Sequence, residues 1–90
     1  MEPMSPALWH KLAQAAIRRC AELYESFTAD DVWREMNDAT PPEPRALGSV
    51  FGWAQKEGLI TPVDLWQKSK RAICHYRPLR VWRSNVYGGA

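Results

Sequence analysis

Residues 40–60 read TPPEPRALGSVFGWAQKEGLI, and the rest of the chain is arranged around this stretch. Its apolar side chains recur at the i, i+3, i+4, i+7 spacing of one helix face, at Leu47, Val50, Phe51 and Ala54. Pro44 suits the first turn of this helix, where its missing N–H has no helical partner anyway. Gly58 is typical of a helix end, and the apolar residues after it predict a strand. The stretch therefore predicts a core helix bounded at both ends.

The opposite side of this helix predicts a contact surface. At about 100° per residue, the side chains that point away from the apolar face are Arg45, Ser49, Gly52 and Lys56. Two of these residues are cations and two are very small. A helix with such a face can lie close against another surface.

The composition predicts one domain with its own core. The chain has 90 residues, of which 46% are hydrophobic and five are tryptophans. We expect an ordered core over about residues 5–84, with tails at 1–4 and 85–90. No apolar run approaches the roughly 20 residues that span a bilayer, and the N-terminus lacks the order of a signal peptide. We therefore expect a cytoplasmic protein that does not contact the membrane.

The charges are distributed unevenly between the two halves of the chain. Residues 1–44 carry four Lys/Arg and eight Asp/Glu, a balance of −4, whereas residues 45–90 carry eight Lys/Arg and two Asp/Glu, a balance of +6. The formal net charge is only +2. A basic half suggests nucleic acid as a partner, although a solvated basic face would give the same pattern.

Two more helices precede the central one. Ser5 as N-cap with proline at N1 predicts a helix that runs to about residue 25. Thr28 and Asp31 have the spacing of a capping box, and Phe27 and Val32 that of a hydrophobic staple. These signals predict a short second helix that ends around residues 37–38, before a pair of prolines.

Two strands follow the central helix. Residues 59–63 read as the first, and residues 79–83, LRVWR, alternate apolar and basic residues as the second. The connection between them, DLWQKSKRAICHYR, is rich in cations: Lys68, Lys70, Arg71 and Arg77. The predicted fold class is mostly α with a small β hairpin. It is a winged helix-turn-helix, with three helices and a two- or three-stranded wing.

Four segments of the chain together carry a resemblance to known proteins: FTADDVW at 27–33, EPRALGSVFGWAQKEGLI at 43–60, SKR at 69–71 and VWRS at 81–84. In these segments the sequence resembles a group of small winged-helix proteins of actinobacterial phages and prophages. Members of this group are usually described as DNA-binding proteins. The resemblance therefore implies a winged-helix fold and, less directly, DNA binding. One departure lies at residues 63–66, VDLW, where similar proteins have a glycine and an aromatic residue early in the wing.

The sequence predicts non-enzymatic binding of duplex DNA, plausible for a phage regulator or replication accessory in the bacterial host cytoplasm. The third helix would enter the major groove with Arg45, Ser49 and Lys56 toward bases or phosphates, and Gly52 would allow close approach. Arg45 is the candidate for a base contact. The wing would bring its cations to phosphates or the minor groove: Lys68, Lys70, Arg71 and Arg77.

The alternative is a protein-interaction winged helix that binds a host or phage protein without contacting DNA. Trp53 and Trp66, if exposed, would suit such an interface, and so would the acidic first half. Salt dependence separates the two functions, because phosphate contacts weaken steeply with salt and an aromatic interface does not. The chain would be a monomer or a homodimer, with the first helix around Leu8, Leu12 and Ile17 as the candidate seam.

The sequence gives no sign of catalysis, a cofactor or a metal site. The candidate metal ligands are His10, Cys20, Cys74 and His75, but no CxxC or HxxxH spacing relates them. The adjacent Asp30 and Asp31 are explained by the dipole of the second helix. We therefore expect a binding protein, with no catalytic residues.

Overall fold

The computed structural model describes residues 5–37, 39, 42, 45–69 and 78–89. In these residues the chain forms three α-helices, three strands and a final short 3-10 helix: α1 (Pro6–Leu23), β1 (Ser26–Phe27), α2 (Ala29–Glu35), α3 (Ala46–Lys56), β2 (Ile60–Lys68), β3 (Pro78–Ser84) and Tyr87–Gly89. The three strands make one antiparallel sheet of order β1-β3-β2. The fold is mostly α with a small β-sheet, as predicted. None of the helices described is long and apolar enough to cross a membrane.

Helix α1 begins where the sequence predicts. The Ser5 side chain accepts a hydrogen bond from the backbone N–H of Leu8 at 3.2 Å, which satisfies a donor that the first turn leaves unbonded. The helix ends at Leu23, slightly earlier than expected, because Tyr24 is already extended with φ −125° and ψ 141°. The buried residues on its inner face are Trp9, Ala13, Ala16, Ile17, Cys20 and Ala21.

Helix α2 has the predicted capping box. The backbone N–H of Thr28 donates to Asp31 Oδ2 at 2.9 Å, while the Thr28 hydroxyl accepts from the N–H of Asp30 at 3.3 Å. The helix ends at Glu35, two residues before the predicted end. Asn37 then takes a left-handed backbone conformation with φ 53°, which turns the chain away from the helix.

Helix α3 has the predicted core face. Leu47, Val50, Phe51 and Ala54 are each at most 6% exposed. Arg45 lies at the N-cap rather than inside the helix, and its side chain makes no capping hydrogen bond. Gly58 has φ 78°, a conformation that favours glycine, and it ends the helix just before β2.

Strand β2 is longer than predicted, which corrects the boundary between strand and basic connection. The sequence predicted a strand over 59–63, but β2 continues to Lys68 and pairs with β3 along most of its length. Pro62 pairs with Trp82 and Trp66 pairs with Arg80, so β2 has two extra residues between these pairs. This β-bulge falls at residues 63–66, the segment that departs from the resembled group.

Asn85 and Val86, which the sequence places at the start of a tail, contact the packed fold. The backbone N–H of Asn85 donates to the carbonyl of Leu59 at 2.9 Å, and Val86 packs against the core. The buried Ser84 hydroxyl donates to the carbonyl of Ala21 in α1. These contacts join the last strand and its following turn to α1 and to the start of β2.

Candidate functional site

The side of α3 that points away from the core carries every residue that the sequence placed there. Arg45, Ser49, Gly52 and Lys56 are all exposed, together with Gly48 and Gln55. We call these six residues the α3 outer face. Arg45 and Lys56 lie at its two ends, about 16 Å apart along the helix axis at a rise of about 1.5 Å per residue. The face therefore has a cation at each end, and the glycines and the serine between them have little or no side chain.

Two glycines in the middle of this face are not explained by packing within the described fold. A Cβ atom built on Gly48 or on Gly52 would meet no other atom within 4 Å. Glycine inside a helix lowers its stability by about 1 kcal/mol relative to alanine. The two residues therefore weaken α3 and leave its backbone open to an approaching surface.

The charges of the α3 outer face are not neutralised within the described part of the chain. Neither Arg45 nor Lys56 forms an ion pair with a described residue, whereas Arg19 pairs with Glu35 at 2.7 Å and Arg34 pairs with Asp31 at 3.4 Å. No acidic residue belongs to the face. The face is thus available to an anionic partner.

One flank of the α3 outer face is formed with α1. Trp53 lies one turn after Ser49 and is half-buried, and the guanidinium carbon of Arg18 is 5.7 Å from the centroid of its ring. The sequence identified Trp53 as an interface residue if exposed, and the structure shows it half-buried. Arg18 was missed because only the tertiary packing of α1 on α3 brings it there; its sole sequence signal was a place on the polar side of α1.

The hairpin of β2 and β3 packs against the core side of α3. Trp82 stacks on Phe51 of α3, with ring centroids 5.1 Å apart. Two residues along β3, the guanidinium carbon of Arg80 lies 4.6 Å from the centroid of the Trp66 ring. Trp66 is 55% exposed. The sequence did not identify Arg80 as a site residue, although its place in an alternating apolar and basic strand was visible.

Lys68 is exposed, but it lies beside carboxylates. Together with Gln67 it lines a small depression between β2 and α2, whose other lining residues are Thr28, Asp30, Asp31 and Arg34. The adjacent Ser69 is only 1% exposed, and its hydroxyl donates to the carboxylate of Asp30 at 2.9 and 3.1 Å. The end of β2 is therefore fastened to the acidic N-terminus of α2, and these acids offset part of the Lys68 charge.

Three of the predicted site residues lie outside the described part of the chain. Lys70, Arg71 and Arg77 belong to the segment that joins β2 to β3. Their assignment as DNA contacts remains a prediction from the sequence.

Cys20 is a buried thiol. Its side chain is 0% exposed, and burial, with smaller contributions from the Asp31 and Glu35 carboxylates, raises its pKa to about 12. The thiol stays protonated at neutral pH and is a poor nucleophile. In the described residues, no group of three or more His, Cys, Asp and Glu is arranged to hold a metal ion.

The proposed dimer seam on α1 is only partly exposed. Ile17 is 0% exposed and belongs to the core, so it is unavailable to a second copy. Leu8 is 55% exposed, and Leu12 is partly buried and packs against the core. The structure thus leaves a narrower apolar stripe than the sequence suggested.

Comparisons with models of protein families, with curated proteins and with solved structures find no match to this chain. The resemblance to the phage winged-helix group therefore remains a prediction.

Proposed function

We propose that this protein is a winged helix-turn-helix protein that binds duplex DNA without catalysing a reaction. The observation that carries the proposal is the α3 outer face, which has a cation at each end, small residues between them and no acid. The order of elements and the sheet order β1-β3-β2 also support it, because they place a hairpin directly after α3 and beside it. Such a protein would act in the cytoplasm of a bacterial host as a phage regulator or replication accessory.

The dimensions of α3 suit the major groove. The groove is about 12 Å wide and admits one α-helix with its side chains. Gly48, Ser49 and Gly52 add little bulk, so the helix backbone can come closer to the base edges than a helix with long side chains there. Arg45 lies at the N-terminal end of α3, the part of a recognition helix that contacts bases, and its guanidinium can donate two hydrogen bonds to guanine.

The hairpin would contribute phosphate contacts beside α3. Arg80 is a described cation of this hairpin, two residues from the Trp82 that stacks on α3, whereas Lys70, Arg71 and Arg77 join this set by sequence alone. Lys68 contributes less than the sequence suggested, because the carboxylates of Asp30 and Asp31 lie beside it. Each phosphate contact releases counterions, so duplex affinity should fall with salt.

Substitutions on α3 test the proposal. We expect Lys56→Gln to weaken binding to every duplex and to lower the salt slope by about 0.9, the value for one phosphate contact on B-DNA. Arg45→Ala should instead change sequence preference, because a bidentate base contact is worth about 1–3 kcal/mol of discrimination. Arg83→Gln is the matched control, since Arg83 is an exposed cation on β3. Equal effects of Lys56→Gln and Arg83→Gln would reject α3 as the contact helix.

A protein-interaction function is the second candidate, and the exposed apolar residues of the bulge favour it. Leu65 is 63% exposed and Trp66 is 55% exposed, next to each other on β2. Tryptophan and arginine are enriched in the energetic centres of protein interfaces, and Arg80 is stacked on this tryptophan. A host or phage protein bound there should be released by Leu65→Asp and should respond little to salt.

A further inference from the structure

A depression with a volume of about 130 Å³ lies between α1 and α2. Glu35 of α2 lines it together with four residues of α1: Leu12, Ala15, Ala16 and Arg19. These four have the i, i+3, i+4, i+7 spacing of the hole that receives a side chain from another helix in knobs-into-holes packing. A cavity of about 150 Å³ holds a benzene molecule, so this α1 hole is large enough for a leucine side chain.

The chemistry of the α1 hole suits an apolar occupant. Its floor is formed by Leu12 and two alanines. The two charged groups at its rim neutralise each other, because Arg19 Nε lies 2.7 Å from Glu35 Oε1. A charged side chain would have to compete with this ion pair, whereas an aliphatic side chain only replaces water on apolar surface.

Helix α1 itself carries a side chain that fits the hole. Leu8 is 55% exposed and lies one turn before Leu12 on the same face of the helix, since residues 8, 12, 15 and 19 follow the 4-3-4 spacing of a heptad seam. At about 1.5 Å per residue, Leu8 is about 11 Å from the centre of the hole between Ala15 and Ala16. A two-fold axis beside Leu12, midway between them, therefore brings the Leu8 of each of two copies onto the hole of the other, with the two α1 helices antiparallel.

The charges at the two ends of this contact are complementary. None of the described residues in the first turn of α1 is acidic. The antiparallel pairing places Glu35 of the second copy beside this turn, and a carboxylate near a helix N-terminus is favourable. The contact covers about three turns of one helix, less than the roughly 1,200 Å² of a stable specific interface. The dimer should therefore be weak, and the monomer keeps its own core.

We infer that the face of α1 formed by Leu8, Leu12 and Ala15 is the interface of a weak, antiparallel homodimer. Leu8 of each copy inserts into the α1 hole of the other, and the two Leu12 side chains meet at the two-fold axis. A second copy is favoured over an unrelated helix because this chain supplies both the knob and the hole, in a register that one two-fold axis satisfies. The inference goes beyond the proposed function and does not depend on DNA binding.

Sedimentation equilibrium of the full chain without DNA, from about 20 μM to about 1 mM, tests the interface. The wild-type chain should show a monomer–dimer equilibrium in this range, as a small interface predicts. Leu8→Ala should weaken the dimer by about a hundredfold, because each symmetric dimer loses two buried leucine side chains at once. Leu23→Ala is the matched control and should dimerise like wild type. Leu23 is 48% exposed on the same helix, but the antiparallel register places it beyond the end of the α1 helix of the second copy.

Mixing two variants tests the pairing of knob and hole. Ala15→Leu fills the α1 hole and should also weaken the homodimer. Combined with Leu8→Ala, it should form a heterodimer that recovers one of the two contacts and binds about tenfold more tightly than the Leu8→Ala homodimer. Both positions are exposed, so the variants should stay folded, which circular dichroism and thermal unfolding verify.

Three results would overturn the inference. The first is a wild-type chain that stays monomeric at 1 mM. The second is equal dimerisation of Leu8→Ala and Leu23→Ala, which would place the interface elsewhere on the chain. The third is a mixture of Leu8→Ala and Ala15→Leu that associates no better than either variant alone, which would reject the insertion of Leu8 into the hole.

Discussion

Replacing Gly48 and Gly52 with alanine should make the protein more stable and a weaker binder. Both glycines lie inside α3, and neither has an atom within 4 Å of the added Cβ. Alanine is favoured over glycine in a helix interior by about 1 kcal/mol, so the double variant should gain about 2 kcal/mol in free energy of unfolding. For a domain of this size, that gain raises Tm by roughly 8–16 °C.

The predicted loss of affinity follows from the open space beside Gly48 and Gly52. If α3 lies against a groove with its backbone close to the partner, two methyl groups on the contact face will separate the surfaces. Overpacking of a fitted contact costs about 1–3 kcal/mol, which corresponds to an affinity loss of roughly 5- to 140-fold. Urea and thermal unfolding measure the stability, and anisotropy with a labelled duplex measures the affinity.

Gly58→Ala is the control for the stability argument. Gly58 has φ 78°, where a residue with a Cβ is strained, so this variant should lose about 1 kcal/mol instead of gaining it. If the double variant is more stable and binds as tightly as wild type, the glycines do not serve close approach. If it is less stable, the placement of the outer face in open space is wrong.

Three further predictions test the core, the thiol and the sequence-derived wing contacts. Trp82→Ala should cost about 2–4 kcal/mol in urea unfolding, because it removes the ring that stacks on α3; a cost below about 1 kcal/mol would contradict this packing. In a Cys74→Ala background, Cys20 should react with a disulfide reagent at pH 8 only in denaturant, because the buried thiol stays protonated. The contribution of Cys20 to the free energy of unfolding should decline as pH rises from about 9 to about 12, since folding raises the pKa of this thiol. Lys70→Ala with Arg71→Ala should weaken all duplexes and lower the salt slope by about 1.8; an unchanged slope would exclude them as phosphate contacts.

The parts of the fold that sequence predicted are those set by local chemistry. The buried face of α3 follows from the spacing of four apolar residues, and the capping box of α2 follows from Thr28 and Asp31, three residues apart. The Ser5 cap of α1 is equally local. In each case the residues that decide the structure are within a few positions of one another, so their pattern could be recognised without knowledge of the tertiary fold.

The parts that sequence missed depend on distant partners. Strand β1 has two residues, Ser26 and Phe27, and exists because they pair with β3 more than 50 positions away. The extension of β2 through Asp64 and Lys68 similarly depends on β3, since these residues have low strand propensity. Val86 was assigned to a tail because nothing in the last residues of the sequence shows that they pack on the core.

The candidate site shows the same division. Sequence placed Arg45, Ser49, Gly52 and Lys56 on the outer side of α3 correctly, because exposure along a helix follows its period. It could not show that Arg18 of α1 lies over Trp53, since that contact exists only in the folded chain. The same holds for Arg80, whose position depends on a bulge that no local pattern predicts.

The most direct test of the central claim is the binding of the wild-type chain to a labelled random-sequence duplex at 50 and at 200 mM salt. Phosphate contacts from Lys56, Lys70 and Arg71 together give a salt slope of about 2.7, which is a loss of about fortyfold in affinity over this range. We expect micromolar binding at low salt with at least this loss. No binding at 50 mM salt, or equal affinity at both salts, would contradict the proposal that α3 and the hairpin bind DNA.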